Sequence, residues 1–288
     1  MTAQTNRPNT IDSFLTMSTQ ALQAANISTA RLDSELLLSS RLGLSREWLL
    51  AHGDAEIAES QWNELCQLLY LRSQHCPLAY LIGYKEFYGR NFQVNHHVLI
   101  PRPESEQIIE QLNLLLQADD STKTVIDVGT GSGCLAITIK LEHPELTVWA
   151  TDISQPALSV AHNNAKNFGL DPDSDLHLAK SNLLSNLPSQ QQFDVIVANL
   201  PYVNRHWSWL SPELAYEPDL ALYDDSDSDS LGLIKQLIIQ STHHLRPHGH
   251  LILEMDQQQV PTIIDFAQQH HFRLVSRLPY TITLQRKD

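Results

Sequence analysis

The sequence has few cysteines, few basic side chains and no long apolar run. Its 288 residues include 3 cysteines, Cys66, Cys76 and Cys134, which lie far apart. That number and spacing predict neither a disulfide framework nor a zinc site. No apolar stretch reaches the roughly eighteen residues of a membrane-spanning helix, so no membrane segment is expected.

Basic residues are outnumbered by acidic ones. Lys and Arg total 19, Asp and Glu total 33, and the formal net charge is −14. Proteins that bind nucleic acid usually carry a basic face, so this balance argues weakly against DNA and favours a protein or small-molecule partner. Several of the 14 histidines form adjacent pairs, which do not share a helix face, and no metal site is predicted.

The rest of the composition is typical of a globular protein, with 42% hydrophobic and 18% charged residues. Residues 1–8 are polar and lack the apolar core of a signal peptide, so we expect a short disordered lead into a cytoplasmic protein. Residues 9–82 carry apolar side chains at helical spacing, such as Ile11, Phe14 and Leu15, and predict a helical bundle. Because this region shows no site chemistry, we assign it to substrate recognition.

A connector of residues 83–104 follows the helical region. Within residues 92–100, aliphatic side chains alternate with other residues, and this pattern predicts a β-hairpin. The connector ends in Pro101-Arg102-Pro103-Glu104, where a proline on each side holds Arg102 extended. Arg102 and Glu104 are predicted either to form a structural ion pair or to belong to a pocket wall.

Residues 105–288 alternate strand-like apolar runs with helical segments. This order is typical of an α/β fold with a mostly parallel sheet and helices on both faces. The last two strands are expected to be an antiparallel pair at the edge of the sheet. The predicted strands are residues 124–128, 147–152, 176–179, 193–198, 250–255, 272–277 and 281–286.

A glycine-rich turn joins the first of these strands to a helix, with the sequence Gly129-Thr130-Gly131-Ser132-Gly133. Glycines there allow a sharp turn and close approach to a ligand. Asp152 ends the next strand, where a carboxylate can accept hydrogen bonds from two ribose hydroxyls. The alternative for Asp152 is a helix-capping role beside Ser154.

Two cofactors fit such a turn. A dinucleotide fingerprint would place its third glycine one residue later than Gly133. Asp127, which precedes the turn, would also repel a pyrophosphate, whereas a carboxylate suits a cationic cofactor. S-adenosylmethionine carries a sulfonium, an ammonium and a ribose but no phosphate, and it is therefore the favoured cofactor.

The fourth predicted strand is followed by Asn199-Leu200-Pro201-Tyr202. Pro201 favours an extended conformation at Leu200. Asn199 is then expected to point into the crevice beyond the carboxyl ends of the strands, where ligands bind in open α/β sheets. Alternatively, the strand ends in an Asx-type turn. The glycine-rich turn upstream favours the binding site.

Together, the turn at 127–133, Asp152 and Asn199-Leu200-Pro201-Tyr202 resemble a class I (Rossmann-like) methyltransferase with a mostly parallel seven-stranded sheet. The helical region, Phe87-Tyr88-Gly89, the segment 100–104 and Tyr216-Glu217-Pro218 narrow the resemblance to the HemK/PrmC family of protein-(glutamine-N5) methyltransferases. This resemblance implies methyl transfer from S-adenosylmethionine to the side-chain amide nitrogen of the glutamine in the Gly-Gly-Gln loop of class-1 peptide chain release factors.

The resemblance also implies roles for individual residues. Two acceptors, the Asn199 side-chain carbonyl and the Leu200 backbone carbonyl, would meet the glutamine amide, and Tyr202 would lie against its flat face. The catalytic and substrate-binding motif would be Asn199, Leu200, Pro201 and Tyr202, with Arg102, Glu104 and Glu217 completing the substrate site. The cofactor would be bound by Asp127, Gly129, Thr130, Gly131, Ser132, Gly133, Asp152, Asn182, Leu183 and Asn199.

The chain departs from the family pattern at two places. Leu200 stands where the family usually has proline; its carbonyl is kept while its backbone is freer, and we expect activity to be retained. Asn182 and Leu183 stand where an aspartate and an aromatic residue are common, and by position they would contact the adenine. Three other functions stay open: ribosomal-protein glutamine methylation, adenine-N6 methylation of nucleic acid, and cofactor binding without catalysis.

Overall fold

The predicted alternation of strands and helices is present in the structure. The computed structural model describes residues 9–118, 121, 123–172 and 174–287, so the predicted lead of residues 1–8 lies outside the described residues. The strands are β1 (Tyr84–Phe87), β2 (Arg90–Gln93), β3 (Thr124–Val128), β4 (Thr147–Asp152), β5 (Leu176–Lys180), β6 (Phe193–Ala198), β7 (Leu245–Glu254), β8 (Phe272–Arg277) and β9 (Thr281–Arg286).

Helices connect these strands and form the first part of the chain. Short 3-10 turns cover Pro103–Ser105 and Pro212–Tyr216. The helices are α1 (Ile11–Ala24), α2 (Ala30–Leu42), α3 (Arg46–Ala51), α4 (Glu59–Ser73), α5 (Leu78–Ile82), α6 (Glu106–Ala118), α7 (Cys134–Glu142), α8 (Gln155–Asn167), α9 (Asp219–Leu222), α10 (Gly232–His244) and α11 (Val260–Gln269).

The main sheet has seven strands in the order β5-β4-β3-β6-β7-β9-β8. The neighbours from β5 to β7 are parallel, and β9 pairs antiparallel with both β7 and β8. This arrangement confirms the predicted α/β fold with its antiparallel edge pair. The chain divides into two compact units, one of residues up to 84 with Ser211–Tyr216 and one of Lys85–Leu210 with the residues from 217 on.

Strand β6 shows how the apolar runs build a core on both faces of the sheet. Successive side chains of a strand point to opposite faces. Ile196 and Ala198 pack in one core with α10 and α11, whereas Val195 and Val197 pack in the other with α6 and α7. Burial on both faces explains why the parallel strands are continuous apolar runs.

The helical unit has its own core. Ile11, Phe14 and Leu15 of α1 pack against Leu38 of α2 and Leu65 of α4, and all five are buried. Helix α1 begins with a capping box between Thr10 and Ser13. The helical spacing of the apolar residues was therefore sufficient to predict the helices of this unit.

Buried charges also hold the helical unit together. Arg72 of α4 donates from Nε to Asp33 Oδ2 over 2.7 Å and from Nη2 to Glu213 Oε1 over 2.6 Å. The Tyr216 hydroxyl donates to the Gln74 carbonyl over 2.7 Å. These bonds fix Ser211–Tyr216, although these residues lie far from α4 in the sequence.

The predicted hairpin lies earlier than the alternation of residues 92–100 indicated. Strands β1 and β2 form it, and Tyr88 and Gly89 make its turn with φ of 50° and 70°. Positive φ at both central residues is typical of a two-residue type I′ turn. The predicted position of the hairpin was therefore wrong. Phe92, Val94 and Val98 are all buried, which imitates the alternation of a strand, but only residues up to Gln93 pair as a strand.

Candidate active site

An open cavity of about 1080 Å³, counted to its mouth, lies at the carboxyl ends of β3, β4 and β6. This edge of a parallel sheet is where ligands bind in doubly wound folds. Of the predicted site residues, those that line it are Gly129, Thr130, Gly131, Ser132, Asp152, Asn182, Leu183, Asn199, Leu200 and Pro201.

The glycine-rich turn forms one wall of the cavity with its backbone. Gly129 and Thr130 donate their N–H groups to the Thr151 carbonyl of β4, over 2.8 Å and 2.9 Å. Gly133 has φ of 81°, and a Cβ there would lie 2.9 Å from Ile137 Cδ1 and 3.1 Å from Ala161 Cβ. The turn therefore requires glycine at this position for both its conformation and its packing.

The carboxylate of Asp152 joins this turn to the next helix. Its Oδ2 accepts from the Gly131 N–H over 2.9 Å, and its Oδ1 accepts from the Ser154 N–H over 2.8 Å. The alternative role of Asp152, capping beside Ser154, thus corresponds to a hydrogen bond in the structure. Each oxygen keeps a second lone pair, and Asp152 also lines the cavity, so ribose binding stays a prediction beside it.

Asp127 lies behind the turn rather than in the cavity wall. Its Oδ2 accepts from the Thr130 hydroxyl over 2.6 Å, whereas its Oδ1 is buried without a partner among the described residues. Burial raises the pKa of Asp127 to about 7, although the hydrogen bond from Thr130 lowers it. A cation near this carboxyl group would favour its ionised form.

Asn182 and Leu183 lie at the end of the cavity that follows β5. Asn182 is exposed, whereas Leu183 is buried and has φ of 52°. A left-handed backbone at a leucine costs about 1–3 kcal/mol, and such strain clusters at ligand sites. The predicted contact of these residues with an adenine stays a prediction.

Asn199 follows β6 and is held by Ser105. Its Nδ2 donates to Ser105 Oγ over 3.0 Å. In the described part of the chain no group donates to Asn199 Oδ1, which leaves this oxygen available as an acceptor. The structure therefore places a carboxamide with a defined orientation in the cavity wall, rather than in an Asx-type turn.

Leu200 connects the two walls of the cavity. It is 4% exposed, and a Cβ on Gly129 would lie 2.9 Å from its Cδ2. The leucine side chain thus covers the glycine at the start of the turn. The side chain of Leu200 is therefore part of the packing between the motif and the turn.

Tyr202 is held by two buried polar side chains. Its hydroxyl donates to Glu254 Oε1 over 3.1 Å, and its backbone carbonyl accepts from Gln259 Nε2 over 2.9 Å. Burial and the adjacent Glu254 raise the pKa of Tyr202 above its ordinary value, so the phenol is protonated. In the described chain Tyr202 does not line the cavity, and its predicted contact with the glutamine stays a prediction.

The three additional substrate residues form a support rather than a wall. Glu217 is buried, accepts from the Ile100 N–H over 3.0 Å and forms an ion pair with Arg102. Arg102 thus forms an ion pair, but with Glu217 rather than with Glu104, the partner that the sequence predicted. Glu104 is half-buried, and none of the three lines the cavity within the described ranges.

Two buried polar residues next to the motif, Ser105, which lines the cavity, and Glu254, were not among the predicted site residues. Ser105 is 3% exposed and Glu254 is 1% exposed. Glu254 ends the apolar run of β7, and a carboxyl group at the carboxyl end of a buried parallel strand was a usable signal. Ser105 offered no comparable signal, because its contact with Asn199 spans 94 residues of sequence.

Within the described ranges, no group of three or more His, Cys, Asp or Glu side chains is placed to hold a metal ion. Over those same residues, no helix has both the length and the apolar character that crossing a bilayer requires.

Solved structures share the fold of the sheet-containing unit. A methyltransferase from Pyrococcus furiosus matches with a TM-score of 0.52 at 16% identity, over 78% of this chain and 99% of that one. A 16S rRNA methyltransferase from T. thermophilus, in complex with AdoMet and guanosine, matches with a TM-score of 0.51 at 16% identity, over 71% of this chain and 50% of that one. The fold is that of the class I methyltransferases.

Sequence comparisons identify a narrower family than the shared fold does. The PrmC N-terminal domain model matches residues 13–83, and the methyltransferase small domain model matches residues 107–209. Release factor glutamine methyltransferases from Leptospira interrogans and Neisseria gonorrhoeae are 33% and 35% identical, each over 89% of this chain and over 89% and 91% of their own lengths. One from Koribacter versatilis is 36% identical over 81% of this chain and 82% of its own. The protein belongs to the release factor glutamine methyltransferase family.

Proposed function

We propose that this protein transfers a methyl group from S-adenosylmethionine to the side-chain amide nitrogen of a glutamine in a class-1 peptide chain release factor, the glutamine of its Gly-Gly-Gln loop. The observation that carries the proposal is the position of Asn199, whose Nδ2 is held by Ser105 and which lines the cavity beside the glycine-rich turn. Family membership supports the choice of substrate.

Two acceptors suit the chemistry of an amide nitrogen. The nitrogen of a glutamine side chain is a poor nucleophile, because its lone pair is delocalised into the carbonyl. Asn199 Oδ1 and the Leu200 carbonyl would each accept one N–H, returning electron density to the nitrogen and aiming it. Holding the nitrogen in line with the bond to the methyl group is chiefly a proximity effect, and no strong base is required.

The residues of the other wall fit S-adenosylmethionine, which when bound supplies the methyl group on a sulfonium. The turn at 129–133 lets the ligand approach its backbone closely. Asp152 would accept from the ribose, and Asp127, with one oxygen buried and unpartnered in the described chain, suits a nearby cation. Asn182 and Leu183 would contact the adenine.

The substrate also decides the location that we propose. Release factors act on ribosomes during translation termination, so we place the reaction in the cytoplasm. The helical unit has no site chemistry in its sequence, and we assign it to recognition of the release factor. Full activity after removal of residues 9–82 would overturn that assignment.

A transfer assay with several acceptors tests the function. The protein is incubated with labelled S-adenosylmethionine and separately with a release factor, a ribosomal protein and DNA. We expect label in the release factor only. Label confined to the ribosomal protein or to DNA would overturn the proposed substrate, and bound cofactor without any transfer would favour a protein that no longer catalyses.

A further inference from the structure

One buried side chain of α8 is hydrogen-bonded to two backbone segments that are remote from it in the sequence. Asn164 is fully buried. Its Nδ2 donates to the Ser132 carbonyl of the glycine-rich turn over 2.8 Å and to the Gln93 carbonyl at the end of β2 over 3.0 Å. Its Oδ1 accepts from the Gln93 N–H over 2.8 Å. Both hydrogens of the amide group are thus used on backbone carbonyls.

These partners allow the Asn164 carboxamide only one orientation. A backbone carbonyl can only accept a hydrogen bond, and a backbone N–H can only donate one. If the carboxamide were turned over, its oxygen would face the carbonyl oxygens of Gln93 and Ser132, and its amide group would face the Gln93 N–H. Buried polar groups without partners are unfavourable, so Asn164 holds both segments in a single arrangement.

Helix α8 supports the glycine-rich turn where the turn leaves the cavity wall. Asn164 and Ala161 are three residues apart and therefore lie on the same face of the helix. A Cβ at Gly133 would lie 3.1 Å from Ala161 Cβ, and Asn164 binds the carbonyl just before this glycine, that of Ser132. Since Ser132 itself lines the cavity, a shift of this support would move the cavity wall.

The other segment that Asn164 binds also leads to the cavity. Strand β2 ends at Gln93, and the connector then continues to His97, Val98 and Leu99, which line the cavity. Asn164 thus joins, at one buried point, the turn that we assign to the cofactor and the connector that forms another part of the lining.

We propose that Asn164 is a positioning residue for S-adenosylmethionine, because it fixes the glycine-rich turn relative to the connector before the cofactor binds. The inference rests on the cofactor of the proposed function and not on its methyl acceptor. A site whose parts are already held in place binds its ligand more tightly, since binding does not have to order them. Loss of the hydrogen bonds of Asn164 therefore lowers the affinity for the cofactor.

The first test uses Asn164→Asp, which keeps the shape of the side chain. The variant keeps an acceptor for the Gln93 N–H but replaces the amide group, which donates to two carbonyls, by an oxygen that cannot donate when ionised. The dissociation constant for S-adenosylmethionine is measured by calorimetry at a temperature at which the variant is folded. We expect it to rise about tenfold or more, through the loss of both donated bonds.

Gln111→Glu is the matched control for a general loss of stability. Gln111 is also a buried carboxamide, and its Oε1 accepts from the Thr283 hydroxyl over 3.0 Å, but in the described chain it is not among the residues that line the cavity. The control should keep the wild-type dissociation constant even where its melting temperature falls as far. A wild-type constant in Asn164→Asp, or an equal rise in both variants, overturns the proposal.

A second readout uses the wild type alone and needs no methyl transfer. The hydrogen exchange of the Gln93 N–H, which donates to Asn164, is followed by NMR with and without S-adenosylmethionine. The Thr124 N–H is the control, because it also donates to a side-chain oxygen, Asp194 Oδ2, over 2.8 Å, at the end of β3 away from the cavity. If the turn and β2 are held together, bound cofactor should slow exchange at Gln93 about tenfold more than at Thr124.

The outcome of the exchange experiment is separate from that of the transfer assay. An equal change at Gln93 and Thr124 overturns the role of Asn164 even if methyl transfer to a release factor is observed. Selective slowing at Gln93 supports it even if no acceptor is methylated.

Discussion

The two walls of the cavity are built in different ways. The wall that we assign to the cofactor, called the cofactor wall, consists of residues 129–132 and of Asp152, which lie close together in the sequence. The acceptor wall consists of a side chain, Asn199, held by a serine 94 residues away. A wall made of backbone leaves its mark in glycine spacing, whereas a wall made of side chains depends on partners that spacing does not reveal.

Each wall has a buried carboxyl group behind it. Burial raises the pKa of both Asp127 and Glu254 to about 7, and each keeps one oxygen without a well-aligned partner in the described chain. Asp127 accepts from Thr130, three residues further on, and so supports its own turn. Glu254 accepts from Tyr202, which follows the neighbouring strand β6, and so supports the motif Asn199–Tyr202. A buried carboxyl group thus stabilises a contact within one short segment in the first wall and a contact between segments distant in sequence in the second.

The largest expected effect is on the acceptor wall. Asn199→Ala removes one of two acceptors that meet the reacting amide, and we expect kcat to fall about 10²–10³-fold. Cofactor affinity, measured by calorimetry, should change much less if Asn199 belongs chiefly to this wall. Asn204→Ala is the matched control, because its carboxamide lies just beyond the motif and accepts from the His206 N–H. Equal losses in both variants would contradict the assignment.

A pH titration of stability separates the Glu254 carboxyl group from the rest. Its folded-state pKa of about 7 lies above the ordinary value of 4.5, so the folded chain holds a proton that the unfolded chain has lost. This contribution to the free energy of unfolding is full below pH 4.5 and falls by about 3 kcal/mol as the pH rises to 7. Asp127, whose pKa burial also raises to about 7, adds a fall of its own in both proteins, so denaturant unfolding should show a fall about 3 kcal/mol larger in the wild type than in Glu254→Gln. Parallel curves for the two proteins would argue against the raised pKa.

The cofactor wall should respond in affinity rather than in rate. Asp152→Ala removes a carboxylate that accepts from Gly131 and Ser154 and that we expect to bind the ribose. The dissociation constant for S-adenosylmethionine should rise about 10–100-fold, since hydrogen bonds to a charged group are worth about 1.5–3 kcal/mol. An unchanged constant would leave Asp152 with only its capping role.

Two glycines of the same turn test the contact between the walls. Gly129 and Gly131 have φ of 79° and 55°, but a Cβ meets Leu200 Cδ2 at 2.9 Å in the first and open space in the second. Both alanine variants should lose about 1 kcal/mol to backbone strain. Gly129→Ala should lose about 1–3 kcal/mol more through overpacking, as measured by thermal unfolding without ligand. Equal losses would show that Leu200 yields without cost.

The smallest effect is expected at Leu200 itself. Leu200→Pro keeps the carbonyl acceptor and fixes the backbone, so kcat should change less than about tenfold. Leu200→Pro also removes the leucine side chain that packs over Gly129. Leu200→Ala removes the same side chain without fixing the backbone, so it is the control for lost packing. A nearly inactive wild type that Leu200→Pro restores would mean that leucine has degraded the site.

The sequence alone predicted the strands of the sheet and the position of the glycine-rich turn well. Continuous apolar runs such as 193–198, the glycine-rich turn and Asp152 are local patterns, and each was placed correctly. The hairpin was misplaced, because burial of Phe92, Val94 and Val98 imitates strand alternation. The roles of Ser105 and Glu217 were out of reach, because their partners, Asn199 and Arg102, are remote in the sequence and are brought near only by the crossovers of the fold.

The most direct measurement maps the methyl group on the product. Release factor incubated with this protein and S-adenosylmethionine is digested and analysed by tandem mass spectrometry, beside a reaction with Asn199→Ala. The account predicts one methyl group on the side-chain nitrogen of the glutamine in the Gly-Gly-Gln loop, and its near absence with the variant. A methyl group on another residue, or equal methylation by the variant, would contradict it.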